Sequence, residues 1–204
     1  GNNEIYIVSD IDSPNVVREI GRLREVTFRD AGGGTGKDID LDSYDLGNNS
    51  FKQLVLWDPK EKEIIGGYRY NRCNELEVTA KGEVLSPTSR LFKYSNQFIT
   101  DYFPYTIELG RSFVQPLYQT TFNLRRGMYA LDNLWDGLGA VVIENPDLFF
   151  LTISDAPAFS DTILGHPAAA VCGTTKPKPS SILGKTFTLH LLIILFNFSW
   201  LTCP

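Results

Sequence analysis

Histidine and cysteine are scarce in this sequence, and their scarcity excludes several kinds of site. The 204 residues include two histidines, His166 and His190, and three cysteines, Cys73, Cys172 and Cys203. None of the cysteines has the C-x-x-C spacing of a zinc site, so we expect no metal centre. Because the chain before His166 has no histidine, a Ser-His-Asp hydrolase site is also disfavoured there.

An excess of basic residues and a long apolar run are also lacking. The formal net charge of −5 is the opposite of the basic footprint of nucleic-acid binders, so we expect no nucleic-acid partner. The longest apolar run, residues 187–201, contains His190 and Asn197 and is shorter than the roughly 20 residues of a membrane-spanning helix. No signal-peptide pattern opens the chain, and the few cysteines favour a reducing compartment. We therefore predict a cytoplasmic protein, with peripheral membrane contact left open.

The character of the chain changes near residue 150. The length of the whole chain and its 43% hydrophobic content are typical of one α/β domain with a substantial core. Residues 151–204, however, contain no Glu and no Arg and lack amphipathic patterning. We predict a domain over residues 1–150 and an atypical tail over 151–204. The tail is a buried terminal helix, a membrane anchor or, as we favour, the product of a reading-frame change.

Periodicity predicts alternating strands and helices before the tail. A weak strand over residues 3–9 precedes a helix that starts at Asp12-Ser13-Pro14. The Gly66-Gly67 pair predicts a bulge or a close backbone approach. The other predicted elements are a β-hairpin of residues 52–57 and 63–70, a helix over Thr88–Tyr102, a strand over Tyr105–Val114, a helix from Met128 to Val142 and a strand beginning at Asp147–Leu151.

Two loops imitate ligand-binding motifs without meeting their requirements. Residues 31–38 resemble a phosphate loop, but Asp38 stands where Ser or Thr should bind magnesium. We interpret this segment as a flexible lid or an entrance loop. The acidic segment that follows, residues 38–45, has the spacing of a calcium-binding loop. Ser43, however, replaces the required glycine, and Asn49 replaces the final glutamate. It is instead an acidic wall that pairs with the arginines of the first helix or receives a cationic substrate, or a solvated turn.

The strand over residues 105–114 and the helix after it carry the most distinctive charges. Glu108 and Arg111 interrupt an apolar strand, which is costly unless the charges are paired or face a cavity. The run Arg125-Arg126-Gly127 then opens the helix, where free N–H groups and the helix dipole favour an anion. This combination predicts a site for an anionic ligand.

The ordered motifs resemble a known family over about residues 10–150. They are LREVTF at residues 23–28, D-x-Y-D at 42–45, GGYRY at 66–70, ELGRSFV at 108–114 and LDNLWDGLGA at 131–140. Together they resemble the GNAT-superfamily branch of ornithine and glycine N-acyltransferases of bacterial aminolipid synthesis, also labelled hemolysin-like. The acyl-homoserine-lactone synthases share the same landmarks more loosely.

The resemblance implies a fold and a reaction. The fold is a GNAT-like mixed, mainly antiparallel sheet flanked by helices, whose C-terminal part is incomplete or non-native here. The reaction moves a long-chain acyl group from an acyl carrier protein or CoA thioester to the amine of a small amino acid. Acyl carrier protein (phosphopantetheine) or acyl-CoA would be a co-substrate, with no permanently bound cofactor. The alternatives are an autoinducer synthase that uses S-adenosylmethionine and a catalytically dead or truncated acyl-pantetheine binding domain.

The resemblance also implies roles for particular residues. Glu108 would accept the proton of the attacking amine, and Arg111 would orient Glu108 or the acceptor carboxylate. The acceptor chamber would comprise Arg24, Phe28, Asp42, Asp45 and Arg69. Pantetheine would lie where the E-L-G-R strand splays from the 147–151 strand, and the cofactor-binding residues would be Phe113, Val114, Arg125, Arg126 and Gly127.

The residues themselves leave a structural alternative open. Glu108 and Arg111 are three apart on a strand, so they point to opposite faces unless a bulge intervenes. They would then belong to structural ion pairs. We interpret Leu134, Trp135 and Leu138 as helix core rather than acyl contacts.

Overall fold

A five-stranded sheet forms the centre of the protein in the computed structural model, which describes residues 2–80, 82–90, 93–119, 124–148 and 150–154. Its strands lie in the order β1 (Glu4–Val8), β2 (Lys52–Asp58), β3 (Glu63–Arg72), β4 (Thr106–Val114) and β5 (Phe150–Ser154). The first four are antiparallel, and β5 runs parallel to β4.

Three α-helices accompany the sheet in the described part of the chain: α1 (Pro14–Asp30), α2 (Asn96–Asp101) and α3 (Leu124–Glu144). Single turns of 3-10 helix lie at Cys73–Glu75, Thr88–Arg90, Phe103–Tyr105 and Pro116–Tyr118. The predicted mixed, mainly antiparallel sheet with flanking helices is confirmed. None of the described helices is long and apolar enough to cross a bilayer.

Helix α3 covers one face of the sheet. Its buried residues Leu134, Leu138 and Val141 pack against alternating strand residues such as Leu54 and Ile107. The Tyr68 hydroxyl donates a hydrogen bond of 2.9 Å to the Leu134 carbonyl, so this tyrosine is buried without a lost hydrogen bond. The core prediction is confirmed for Leu134 and Leu138.

Trp135 departs from that prediction. Its side chain is 51% exposed, so it is not part of the core. The physical reason is rotational: Trp135 lies about 100° around the helix from Leu134, on the flank of the buried stripe.

Helix α1 covers the other face. It begins at Pro14, as predicted, and buries Val17, Ile20 and Leu23 on one side. Ile20 and Leu23 pack in one cluster with Val55 of β2 and Phe113 of β4. This face also holds the charged residues of the candidate site.

Gly66 and Gly67 allow the close strand packing that their pairing predicts. A side-chain carbon on Gly66 would collide with the Phe113 carbonyl oxygen, and one on Gly67 with that of Leu54. The register shifts beside them, because Leu56 pairs with Gly66 while Trp57 pairs with Ile64. Both parts of the prediction, the bulge and the close approach, are confirmed.

The prediction of a continuous helix over Thr88–Tyr102 is wrong. Thr88–Arg90 is a 3-10 turn, and an α-helix forms only over Asn96–Asp101, where the Ser95 hydroxyl oxygen accepts a hydrogen bond from the Phe98 N–H. Three of the apolar residues in this segment, Tyr94, Phe98 and Ile99, pack instead against a small separate cluster of Cys73, Val84 and Phe103. A helix of six residues with its flanking segments is enough to place them there.

Strand β5 starts three residues later than the predicted strand and extends past residue 150. Residues 155–204 lie outside the described residues, and with them both histidines, Cys172, Cys203 and the apolar run of residues 187–201. The predicted division between residues 150 and 151 therefore stays a prediction.

The loop after α1 is tied to the helix by Glu25. Its carboxylate accepts hydrogen bonds from the Thr35 hydroxyl at 2.6 Å, the Thr35 N–H at 2.9 Å and the Gly36 N–H at 3.0 Å. The Arg29 guanidinium bonds the same carboxylate at 2.7 Å. The hydrogen bond from the Thr35 hydroxyl contributes most to lowering the pKa of Glu25, to about 2. The centre of the predicted lid is thus anchored.

Glu25→Gln should make the fold less sensitive to acid. A carboxylate with a lowered pKa in the folded state stabilises above its ordinary pKa, and this stabilisation is lost as pH falls from about 4.5 towards 2. At pH 7 we expect the variant to lose about 1–3 kcal/mol of unfolding free energy, because the Thr35, Gly36 and Arg29 donors lose a charged acceptor that is itself buried. Urea unfolding at several pH values measures both effects.

Glu19→Gln is the matched control for Glu25→Gln on the same helix. The Glu19 side chain is 45% exposed and pairs with Arg22 on the surface, so its loss should cost no more than about 0.5 kcal/mol. Equal effects of the two substitutions, or an unchanged acid limb in Glu25→Gln, would refute the anchoring role.

Candidate functional site

Six charged side chains meet on the α1 face of the sheet. We call them the charged chamber: Arg24, Asp40, Asp42, Asp45, Arg69 and Arg111. Three guanidinium groups face three carboxylates, so the charges balance within the group. Helix α1, the acidic segment, β3 and β4 all contribute. The structure therefore brings together four of the predicted chamber residues and adds Asp40 and Arg111 to them.

The centre of the charged chamber is a two-point ion pair between Arg24 and Asp45. The guanidinium nitrogens lie 3.1 and 2.7 Å from the two carboxylate oxygens, and both side chains are 0% exposed. Arg24 also donates to the Asp40 carbonyl. Burial alone would raise the pKa of Asp45, but the hydrogen bonds and charge of Arg24, with the charge of Arg69, hold it well below its usual range.

Arg69 joins this pair to the acidic segment. Its Nη1 donates to Asp42 at 2.8 Å and to Asp45 at 3.1 Å. Its guanidinium carbon lies 5.7 and 5.6 Å from the ring centres of Tyr44 and Phe51, within cation–π distance. Arg69 is thus fixed by two carboxylates and two rings.

Asp42 and Arg111 are the members that reach the surface. Their side chains are 24% and 16% exposed, whereas those of Arg24, Asp40, Asp45 and Arg69 are at most 3% exposed. The Arg111 guanidinium lies 3.5 Å from Asp40 and 3.8 Å from Asp42, longer than the contacts at the centre. A ligand that enters the charged chamber would therefore meet Arg111 and Asp42 first.

Arg111 also marks a bulge in β4. Gly67 pairs with Phe113 and Arg69 with Gly110, so Arg111 and Ser112 together oppose Tyr68. Arg111 has φ of 54°, a left-handed conformation that is uncommon for a residue other than glycine. The pairing of β4 with β5 in the described residues runs from Thr106 to Gly110 and ends directly before the bulge. Glu108 and Arg111 would lie on opposite faces of a regular strand, but a bulge allows them to share one face. That bulge is present in β4.

Glu108 lies near the charged chamber and is held by different partners. Its Oε1 accepts hydrogen bonds from the N–H and the hydroxyl of Thr88 at 2.9 and 2.7 Å. The side chain is 0% exposed, and Oε2 has no hydrogen-bond partner among the described residues. Burial raises the pKa values of its neighbours Cys73 and Tyr94, the latter to about 12. Glu108 therefore has one fixed oxygen and one oxygen that can still accept a hydrogen bond or a proton, in a buried position.

The residues predicted to bind the cofactor surround the end of β4 and the start of α3. Phe113 packs in the cluster on the α1 face, whereas Val114 packs against the core on the α3 face. Gly127 is buried in α3. The Arg126 guanidinium stacks over Tyr118 at 5.5 Å and lies 3.8 Å from Glu61, and that of Arg125 lies 5.7 Å from the Tyr129 ring.

Three polar residues of the site escaped sequence analysis, and one predicted member has an apolar role. Asp40 belongs to the acidic segment and gives the same signal in the sequence as Asp42. Gln53, which donates to Asp45 at 2.9 Å, and Thr88 carry no signal in the sequence. Phe28 is half-buried and packs against the apolar cluster of the α1 face.

Comparison with known proteins gives one matching family model and two closely similar relatives. The model of the acetyltransferase (GNAT) domain matches residues 23–127. Glycine N(alpha)-acyltransferases of Phocaeicola vulgatus and Bacteroides thetaiotaomicron are each 49% identical over 160 residues, which cover 78% of this chain and 49% and 48% of those proteins. The chain thus spans about half the length of the curated relatives it matches.

Solved structures show a more distant similarity. A CoA-dependent acyl-homoserine lactone synthase, BjaI, in complex with MTA aligns with a TM-score of 0.38 and 18% identity over 64% of this chain and 62% of that chain. A second such synthase, MesI, aligns with a TM-score of 0.32 and 19% identity over 55% and 54%.

Proposed function

Because this chain belongs to the acetyltransferase (GNAT) domain family, we propose that it transfers an acyl group from a pantetheine thioester to the amine of glycine. The activity and the acceptor named for the relatives in Phocaeicola and Bacteroides support this choice. We further propose that the acyl chain is long, that the donor is acyl carrier protein or CoA, and that the product serves aminolipid synthesis. Ornithine is the second candidate acceptor.

The observation that carries the proposal is that Oε2 of Glu108 has no hydrogen-bond partner in the part of the chain that the structure describes. In the reaction, the amine nitrogen bonds to the thioester carbonyl carbon, the C–S bond breaks and the thiolate leaves. The amine must also lose a proton, for which Glu108 Oε2 is a suitable acceptor, directly or through one water molecule. Thr88 fixes the opposite oxygen and so orients the carboxylate.

The bulge at Arg111 supports the placement of the reacting carbonyl. A bulge turns backbone N–H groups out of the regular ladder, and such groups can stabilise the oxyanion that forms during acyl transfer. The Arg111 guanidinium, which is partly exposed and lies 3.5 Å from Asp40, would bind the carboxylate of glycine. Asp42 would lie beside Arg111, at the exposed side of the charged chamber.

The donor would approach from the other side of β4. We propose that its pantetheine arm lies along the end of this strand, at Phe113 and Val114, towards β5. The phosphate of the donor would meet the start of α3. There Arg126 is fixed beside Tyr118, and Arg125 and Gly127 lie in the same helical turn. Basic residues at this point would also attract an acidic carrier protein.

A specific observation favours a second candidate function. Residues 151–204 contain no Glu and no Arg and lack the amphipathic patterning of the preceding residues, so the chain can hold the donor-binding strand without every group needed for turnover. The candidate is an acyl-pantetheine binding domain without catalytic activity. No observation separately favours an autoinducer synthase.

Thiol release from a long-chain acyl thioester is the direct test of the proposed function. We expect glycine to accelerate the appearance of free thiol from acyl carrier protein or CoA, with N-acylglycine as the product by mass spectrometry. Reactions without acceptor, with ornithine and with S-adenosylmethionine are the controls. Donor binding without thiol release would establish the binding domain, and a product from S-adenosylmethionine alone would establish the synthase.

A further inference from the structure

The exposed flank of α3 carries an apolar stripe that the proposed reaction does not use. We define the apolar flank by Leu124, Met128, Leu131 and Trp135, which are 64%, 56%, 36% and 51% exposed. Their spacing of four, three and four residues is that of the alternating d and a positions of a heptad. The apolar flank therefore has the pattern of a helix–helix seam without a partner among the described residues.

The apolar flank lies on the side of α3 that faces away from β1. On the opposite side, Asn133 accepts a hydrogen bond of 2.8 Å from Asn3, and Gly137 packs against Leu54 and Ile5. That side is closed by the sheet edge. The flank is thus a separate surface rather than an extension of the core contact.

The charged residues beside the apolar flank are arranged so that two copies of the flank would be complementary in charge. Arg125 and Asp132 each follow a d-position residue, Leu124 and Leu131, and so both occupy e positions. In an antiparallel helix pair, Leu124 would face the partner's Trp135 and Met128 the partner's Leu131. Arg125 would then lie opposite the partner's Asp132, and the two-fold axis would repeat this ion pair.

We propose that two copies of this chain associate through their apolar flanks, with the two α3 helices antiparallel. The seam buries four exposed apolar side chains from each copy and gains two symmetry-related ion pairs. Three helical turns form an interface smaller than the roughly 800 Å² per partner of a standard complex, so we expect micromolar affinity.

Charge argues against a bilayer as the occupant. Asp132 and Asp136 are exposed on the same side of α3, where an anionic lipid surface would repel them. Surfaces that bind anionic membranes carry several Lys or Arg residues on their polar face, whereas here the two acids offset the single positive charge of Arg125. A second copy matches both signs of charge.

A charge exchange across the seam tests the proposal in the full chain. In sedimentation velocity between about 1 and 100 µM, the wild type should pass from monomer to dimer. Arg125→Glu and Asp132→Arg should each raise the dissociation constant at least about tenfold, because each places like charges opposite one another twice. Combining the two substitutions should restore it to within about threefold.

Two further variants separate the seam from general effects. Asp136→Arg changes an exposed acid one turn from Asp132 but outside the seam, and it should leave the dissociation constant unchanged. Met128→Glu should abolish the dimer while the thermal unfolding midpoint stays unchanged, because Met128 is 56% exposed.

Several results would overturn the dimer. They are a monomeric wild type at about 100 µM, a combined exchange that fails to restore association, and equal disruption by Asp136→Arg. Binding of the wild type to vesicles of phosphatidylcholine and phosphatidylglycerol that Met128→Glu abolishes would assign the apolar flank to a membrane instead.

Discussion

Asp45→Ala should destabilise the fold by about 3–5 kcal/mol, the usual cost of removing one partner from a buried ion pair. Its carboxylate accepts hydrogen bonds from Arg24, Arg69, Gln53 and the Asp42 N–H. Removing it leaves three guanidinium groups against two carboxylates, and both Arg24 and Arg69 are buried at the centre of this group. A domain of this size has about 5–15 kcal/mol of total stability, so much of it would be lost.

Chemical denaturation with Asp38→Ala as the control measures this loss. Asp38 belongs to the same acidic run but is exposed, so its substitution should change stability by no more than about 0.5 kcal/mol. A loss below about 1 kcal/mol for Asp45→Ala would mean that the ion pair makes little net contribution. Asp45→Asn, which keeps the volume, separates the effect of charge from that of a cavity.

A double substitution separates the structural role of the charged chamber from a role in binding. Arg24→Met with Asp45→Leu removes the central pair together, and replacing a buried pair by apolar residues is often nearly neutral for stability. We expect the double variant to be more stable than Asp45→Ala alone. If it is also inactive, the charged chamber does more than support the fold.

Sequence patterns were sufficient for the sheet because its physical constraints are local. Alternating apolar residues in β2, β3 and β4 specify which side chains face α3, and Gly66-Gly67 specifies where backbones approach. The proline at the start of α1 fixes where that helix begins. Each of these signals lies within a few residues of the feature that it predicts.

The site was less accessible from the sequence because its contacts are distant. Thr88 lies 20 residues before Glu108, and Gln53 donates from strand β2 to Asp45 in the loop before that strand. A threonine or glutamine without charge or periodic context gives no sign of such a partner. The prediction that Trp135 belongs to the core is wrong for another reason. Helical spacing identifies an apolar stripe but does not show how much of that stripe the rest of the protein covers.

Charged residues in apolar strands gave a better signal than any single motif. Glu108 is singled out because a charge within a buried strand requires a partner, whereas Arg69 is predicted from the resemblance to the family. The structure supplies carboxylates for Arg69 and hydroxyl and N–H donors for Glu108. The two residues differ in one respect that matters for chemistry: Arg69 is fixed by two carboxylates, whereas Glu108 keeps one oxygen unbonded among the described residues.

Glu108→Gln should lower kcat for transfer to glycine by about 10²–10⁴-fold if Glu108 accepts the proton. Glutamine keeps the size of the side chain, and its carbonyl oxygen can still accept the hydrogen bonds from Thr88. We therefore expect donor affinity and thermal stability to change little. Glu75→Gln is the matched control, since Glu75 has a side chain 49% exposed and should not affect turnover.

The identity of the acceptor distinguishes a proton acceptor from a structural carboxylate. Glycine reaches the site mainly as an ammonium ion, whereas hydroxylamine is already neutral at pH 7 and has less need of a base. If Glu108 accepts the proton, the loss in Glu108→Gln should be much smaller with hydroxylamine than with glycine. If Glu108 only supports the fold near Thr88, both acceptors should lose activity to the same extent. A loss below about tenfold with glycine would remove Glu108 from the proton transfer altogether, whatever the result with hydroxylamine.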